Sequence, residues 1–336
     1  MTSDMEAAVT KREPTLGLAD RIDIIKNKRG FSLVFPLSML VFLVVFFVIS
    51  TGGDFLTANV LKGIFNQSLI VGTMATAVAF IYSTGNIDFS VGNVMGLAAT
   101  FGAMSYQATG SMTVAIIVTF AGGIILMMFN CILGIVFNIQ SAMVAIVAMS
   151  VYNAFTVILI GADPLKLDYG ICKSLEGNFR YIAFVFYFGI CILLYHKTEI
   201  GRKLRLIGGN ANCAEQTGIN AAKSKTIAFV FAGAGVGLAG VLQILRTGNI
   251  AQSVGNGMGM DVMLATVLGG MSIFGGPKSN AFAGFVGAVT VTVLNKGLLM
   301  MGVSSTLIQG VRALVFLVLV FMNSERQTTL PSRQQF

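Results

Sequence analysis

Five ionisable side chains fall inside or beside long apolar stretches: Asp88, Arg246, Asp261, Lys296 and Arg312. A charge in lipid is costly, so each is a candidate for a functional or ion-pairing role. Asp88 and Asp261 read either as helix caps or ion-pair partners, or as the lining of a polar path. Arg246 and Lys296 lie near span ends, where a long stem carries the charge back to water. Asn86, Asn93 and Asn295 offer amides that can bond a solute's hydroxyls or bond across helices. Together Asn86, Asp88, Asn93, Asp261 and Asn295 are the candidate translocation pathway. Such a set of donors and acceptors, with few charges, suits a neutral hydroxyl-rich solute better than an anion. No Ser-His-Asp, Cys-His or paired-carboxylate set is present, and the lone His196 ends a span beside Lys197. No catalytic residue is assigned, and an enzyme is not expected. There is no G-x-x-x-x-G-K-[ST] string, so ATP would have to be bound by another subunit. Cys131 and Cys191 fall in apolar spans, Cys172 in one loop and Cys213 in another, with no zinc or disulfide spacing. No metal or cofactor is expected.

The elements that must position these residues are membrane helices. Of 336 residues, 55% are hydrophobic and 11% charged, against about 25% charged in a soluble domain. A bilayer crossing takes about 20 apolar residues. The sequence predicts an all-α, polytopic integral membrane protein with about ten transmembrane helices, near 31–50, 68–83, 91–105, 112–138, 141–161, 181–195, 226–245, 261–275, 281–300 and 304–322. The third and eighth are shortest and could be re-entrant or broken. Residues 1–30 form a polar cytoplasmic tail, 31–322 the transmembrane domain and 323–336 a second cytoplasmic tail. Residues 51–67 and 162–180 are expected outside, with LKGIFNQSLI as an interfacial helix. The formal charge of +8 comes from basic residues at span ends and in one loop, which sets topology and does not indicate nucleic-acid binding.

Helix starts and contacts are also legible. Asp88 or Ser90 can cap the third span, and Gly92 with Gly96 gives it a face for close helix contact. Gly233, Gly235, Gly237 and Gly240 should let a neighbour approach the seventh. Asp88 opens the third span and Asp261 the eighth, each ahead of a helix rich in Gly, Met and Ala. Five spans separate them, which would invert one relative to the other, as in an inverted repeat; chance similarity of two small-residue helices is the alternative.

The longest polar interval, 197–225, reads KTEIGRKLRLIGGNANCAEQTGINAAKSK. Its basic residues place it in the cytosol. Asn210 or Asn212 can cap a short helix inside it, Asn212 with Glu215 resembles a capping box, and Gly218 suits the left-handed position that ends a helix. The segment is either a solvated loop or a docking element whose surface comes from Ala214 and Thr217.

This interval resembles the cytoplasmic coupling segment of monosaccharide-type, ribose-like ATP-binding-cassette permeases, which carry a GR…IGGN…A…GIN string. STGNIDFSVGNVMGLAA, MDVMLATVLGGMSIFGG and VLNKGLLMMGVSS are similar to other stretches of that family, so the resemblance runs from about residue 35 to about residue 323. It implies a bacterial inner-membrane importer subunit for a sugar or a related solute such as a nucleoside. It also implies cytosolic ATPase partners, an extracytoplasmic sugar-binding protein, and a second permease copy or paralogue. The ATPase-coupling helix would be carried by Gly208, Gly209, Asn210, Asn212, Ala214, Glu215, Thr217, Gly218 and Ile219. The chain departs from the family at Asn86, where a second Gly is common, at Pro277-Lys278-Ser279-Asn280, and in lacking tryptophan. An ion-coupled secondary transporter is the rival, and it would need more intramembrane charges than are present.

Overall fold

The computed structural model describes residues 31–272, 275–276, 279 and 281–323. The tails expected at 1–30 and from 324 onward, and Pro277, Lys278 and Asn280, lie outside the described residues. The apolar runs form twelve helices among the described residues: α1 (Phe31–Ser50), α2 (Ala58–Tyr82), α3 (Val91–Thr109), α4 (Met112–Val136), α5 (Ser141–Ile160), α6 (Tyr169–Lys197), α7 (Glu199–Gly209), α8 (Ala211–Gln216), α9 (Ala221–Thr247), α10 (Met258–Leu268), α11 (Ala283–Met300) and α12 (Ser305–Asn323). A 3-10 turn at Asp54–Leu56 and a two-residue antiparallel ladder complete it. The ladder pairs Leu165 with Ile250 and Lys166 with Asn249.

Several boundaries move from the sequence reading. The interfacial helix expected near residue 61 is continuous with the second span, because α2 runs unbroken from Ala58. The external loop expected at 162–180 is largely helix: Asp168 accepts from the N–H groups of Gly170 and Ile171 and starts α6 there. Cys172 is therefore not a loop thiol but a fully buried one on α6. The eighth span takes the broken alternative. α10 has 11 residues, about 16 Å at 1.5 Å per residue, too short for a core of about 30 Å. Five helices (α2, α4, α5, α6 and α9) are long and apolar enough to cross a membrane.

Helix α9 lies at the centre, against α4, α2, α3 and α6. Its glycines allow this. A Cβ on Gly123 of α4 would sit 2.5 Å from the Gly237 Cα, and one on Gly233 would sit 2.7 Å from the Ile124 Cα. Both distances are far inside contact, so the α4 and α9 backbones touch with no side chain between them. The α2 residues from Ser68 to Tyr82 are buried all round, whereas α5 and α6 keep large apolar side chains exposed, among them Ile158, Val147, Val185 and Phe186. The outer helices thus present an apolar surface of the kind a bilayer covers.

Chain direction reverses twice without a helix. After α2, residues 83–90 turn back into the body before α3 begins. After α9, residues 248–257 do the same before α10. The start of α3 meets the second return: a Cβ on Gly92 would lie 2.6 Å from the Gly255 carbonyl oxygen and 2.6 Å from the Gly259 nitrogen, and one on Gly96 would lie 2.5 Å from the Val254 oxygen. The close contact expected of Gly92 and Gly96 exists, and its partner is this second return.

Thiol chemistry checks the revised α6. Cys213 is exposed and Cys172 buried, so in the folded chain a maleimide should modify Cys172 at least about a hundredfold more slowly than Cys213, because a buried thiol reacts only through local opening. Denaturation should abolish the difference. Comparable rates before denaturation would contradict the helix placed over 169–180.

Candidate functional site

The first return carries one polar network. Asp88 is 1% exposed, and its Oδ1 accepts from the Ser90 N–H at 2.8 Å and the Ser90 hydroxyl at 2.6 Å. Ser90 is the residue before α3, but its side chain does not cap that helix; it turns back to Asp88. Asn130 of α4 donates to Ser90 Oγ at 2.8 Å, and the Tyr152 hydroxyl of α5 donates to Asn130 Oδ1 at 2.7 Å. The Tyr82 hydroxyl donates to the Asp88 carbonyl at 3.3 Å. Asp88 Oδ2 has no hydrogen-bond partner among the described residues. Asn86 donates to Thr84 Oγ1 at 2.7 Å and accepts from the Ser141 hydroxyl at 3.0 Å, so its amide joins the return to the start of α5. Asn93 is buried on the first turn of α3.

A second cluster joins the last three helices. Asp261 does not open α10 but lies in its first turn, after Gly257. Arg312 Nε of α12 lies 3.1 Å from Asp261 Oδ1 and donates to Asn295 Oδ1 at 2.7 Å. The Asn295 amide donates to both Asp261 oxygens at 3.2 Å. This closed triangle satisfies a buried charge pair, and removing one partner from such a pair strands the other.

The five pathway candidates therefore divide. Asn86, Asp88 and Asn93 belong to the first return, Asp261 and Asn295 to the second cluster, and no hydrogen bond joins the groups among the described residues. What joins them is backbone, since Gly259 lies against the Phe89 carbonyl. Between the first return and α10 with the residues just after it is a cavity of about 10 Å³, lined by Tyr82, Ile87, Met263, Thr266, Val267, Met271 and Ser272. That is room for about one water, so this conformation holds no solute-sized passage there. Arg246 also departs from expectation: it donates to Gln67 of α2 instead of reaching outward. Asn130, Tyr152 and the pairing of Arg312 were missed; a polar Asn inside the apolar run 112–136 was the signal available for the first.

The polar interval folds into an arm of two helices, α7 and α8, where a single short one was expected. α7 buries Gly201, Leu204 and Ile207 and leaves Glu199, Arg202 and Lys203 exposed. Lys203 donates to Glu199 at 2.9 Å, and this bond holds the exposed Glu199 carboxyl below its ordinary range. Gly208 and Gly209 close α7. Asn210 caps α8, accepting from the Cys213 N–H at 3.1 Å. Asn212 lies inside α8, so the capping box with Glu215 does not form. Gly218 has φ 84°. Its N–H bonds the Glu215 carbonyl at 2.9 Å, and the Ile219 N–H bonds that of Ala214 at 3.2 Å, the paired closure that ends a helix on a left-handed glycine. Ala214 corrects the sequence reading: it is 4% exposed. A helix of six residues cannot stand alone, and Ala214 is the side chain it turns inward. Cys213, Glu215, Gln216 and Thr217 face outward.

The Asp261–Arg312 pair supplies a test. Asp261→Ala or Arg312→Ala should each cost about 3–5 kcal/mol in detergent-solubilised unfolding. Removing both should cost clearly less than the two single losses together. Additive losses would mean that the two groups do not pair.

The family described as branched-chain amino acid transport system / permease component matches residues 60–322. Its members are transport permease components and not enzymes. The chain is 28% identical to the ribose import permease protein of Escherichia coli strain K12, over 86% of this chain and 94% of that one. It is 28% identical to the ribose import permease protein of Bacillus subtilis strain 168, over 85% and 91%. It is 26% identical to the xylose transport system permease protein of Haemophilus influenzae, over 84% and 93%. No solved structure gives a significant match.

Proposed function

We propose, from the premise that this chain belongs to the branched-chain amino acid transport system / permease component family, that it is the membrane-spanning subunit of an ATP-binding-cassette importer for a monosaccharide such as ribose. Its relatives are ribose and xylose permeases, and this supports the sugar. The scarcity of free charge beside the returns fits a neutral, hydroxyl-bearing solute. The observation that carries the reading is the α7–α8 arm: a short helix capped at both ends by Asn210 and Gly218, rooted on the body through Leu204 and Ile207, with its outer side chains free.

In this reading α8 docks in a cytosolic ATPase subunit, an extracytoplasmic sugar-binding protein delivers the solute, and a second permease copy or paralogue completes the path in a bacterial inner membrane. The chain makes about ten passages, counting the interrupted α10 with its return. The arm and both tails then lie in the cytosol. The pair α2–α3 and the pair α9–α10, each joined by a non-helical return, form the two halves of an inverted repeat. Asn86, Asp88, Asn93, Asp261 and Asn295 flank the route that opens between them.

Docking is tested on the arm. Asn210→Ala removes the cap, at a cost of about 1 kcal/mol to α8. Gly218→Val forces a β-branched side chain into a left-handed turn. Thr217→Arg places a long charge on the outward face. All three chains should reach the membrane. Gly218→Val and Thr217→Arg should abolish stimulation of the partner ATPase by sugar-loaded binding protein, and Asn210→Ala should weaken it. Normal stimulation in Gly218→Val and Thr217→Arg would reduce the arm to a linker and overturn the docking role.

A further inference from the structure

The inner end of the arm touches the first return and the segment after α10 at one point. A Cβ on Gly208 would collide with the Ser83 carbonyl oxygen and lie 2.6 Å from the Gly276 nitrogen. Ser83 begins the first return, and Gly276 follows α10 in the second half. These two segments also bond each other directly, as the Gly276 N–H donates to the Ser83 carbonyl at 3.1 Å. A Cβ on Gly275 would lie 2.5 Å from the Gly85 nitrogen and 2.6 Å from the Tyr82 oxygen. Three stretches of bare backbone, 83–85, 208–209 and 275–276, therefore close on one another. The junction is held from the side by Tyr195, a fully buried residue near the end of α6. Its hydroxyl lies 2.5 Å from Ser83 Oγ, its ring edge meets Phe80 at 5.5 Å between centroids, and the Arg205 guanidinium of α7 stands 5.1 Å from its centroid. Beside the junction lies the small cavity whose walls are Tyr82 at the end of α2, Ile87 of the first return, and Met263, Thr266, Val267, Met271 and Ser272 from the second half.

We propose that this junction is the gate on the arm's side of the membrane, and that Gly208 is the positioning residue through which the arm opens it, by parting Ser83 from Gly276. The purpose rests on the permease reading above, but the gate itself does not. Because Gly208 bears on both segments, tilting α7 cannot move one half of the body and leave the other in place. The Gly276–Ser83 bond and the Tyr195–Ser83 bond are the closed state. With them broken, the cavity beside Ser272 becomes continuous with the aqueous phase around the arm. Only glycine at 208 lets the closed state form, since any side chain there wedges the two segments apart.

The test reads accessibility and needs no ATPase, binding protein or sugar. Thr266→Cys puts a thiol on the cavity wall, at a position that is 0% exposed, in a chain carrying Cys213→Ser. A membrane-impermeant maleimide is applied to vesicles from the side on which Cys213 of the natural chain reacts. In the closed junction the introduced thiol should react slowly. Tyr195→Phe removes one hydrogen bond of the closed state and keeps the ring, and it should raise the labelling rate about fivefold, the effect of one ordinary hydrogen bond on an opening equilibrium. Gly208→Ala should raise it at least as much. Cys131, buried on α4, should stay unmodified, which separates a parted gate from general loosening. An unchanged rate in Tyr195→Phe overturns the proposal, as does labelling of Cys131 in step with the introduced thiol. If Gly208→Ala fails to insert, Tyr195→Phe decides alone. Failure of the arm to bind an ATPase would sink the permease reading and leave these rates untouched.

Discussion

Two interrupted helices cross inside an apolar body at a place where only backbone fits, and the rest of this structure follows from that constraint. In a bilayer every backbone N–H and C=O must find a partner within the protein. A non-helical segment there survives only if its surroundings supply those partners. The first return is served by Asp88, which takes the Ser90 N–H, and by turns that bond the Thr84 and Gly85 N–H groups to Ile81 and Tyr82. The second is served by its ladder to Leu165 and Lys166 and by short turns such as Val254 to Ala251 and Met258 to Gly255. Helices α2, α4 and α9 enclose the crossing, and their small residues let them close around it.

Helix type and most spans were legible because each was a run of about twenty apolar residues with polar punctuation. The first span coincides with α1, and the fourth and fifth differ from α4 and α5 by at most two residues at an end. The second and sixth were misjudged at their outer ends. Hydropathy falls where a helix rises out of lipid, although the chain beyond the capping Asp168 is helical. The eighth was left open between a span and a broken or re-entrant segment, because an apolar run reads the same whether it is a full helix or half a helix and a return. The clustered glycines around it, Gly255, Gly257 and Gly259, were the hint that backbone conformation there is not regular.

The site was legible as a set of residue types and not as an arrangement. Asp88 and Asp261 stood out because charge is rare in such a chain, and each is the hub of a network. Their environments differ, however, and sequence gave no sign of it. Asp261 is balanced by Arg312 at 3.1 Å, while Asp88 is surrounded by hydroxyls and an amide. The arm shows the same division. Its caps could be read from Asn210 and Gly218, since capping is local chemistry. The inward direction of Ala214 could not, because that depends on how a six-residue helix rests on the body.

The crossing also sets the order in which this chain can be made. Gly92 and Gly96 lie in the first third of the sequence, and their partners Val254, Gly255 and Gly259 lie in the last third. At ribosomal speeds, about 5–20 residues per second, the partners emerge on the order of ten seconds or more after the first return enters the membrane. During that interval the bare backbone around Gly92 has no mate in the chain and must be sheltered by water or by the insertion machinery. A nascent form truncated before residue 250 should therefore be the species most exposed to quality-control proteases, although most of its spans are already in place.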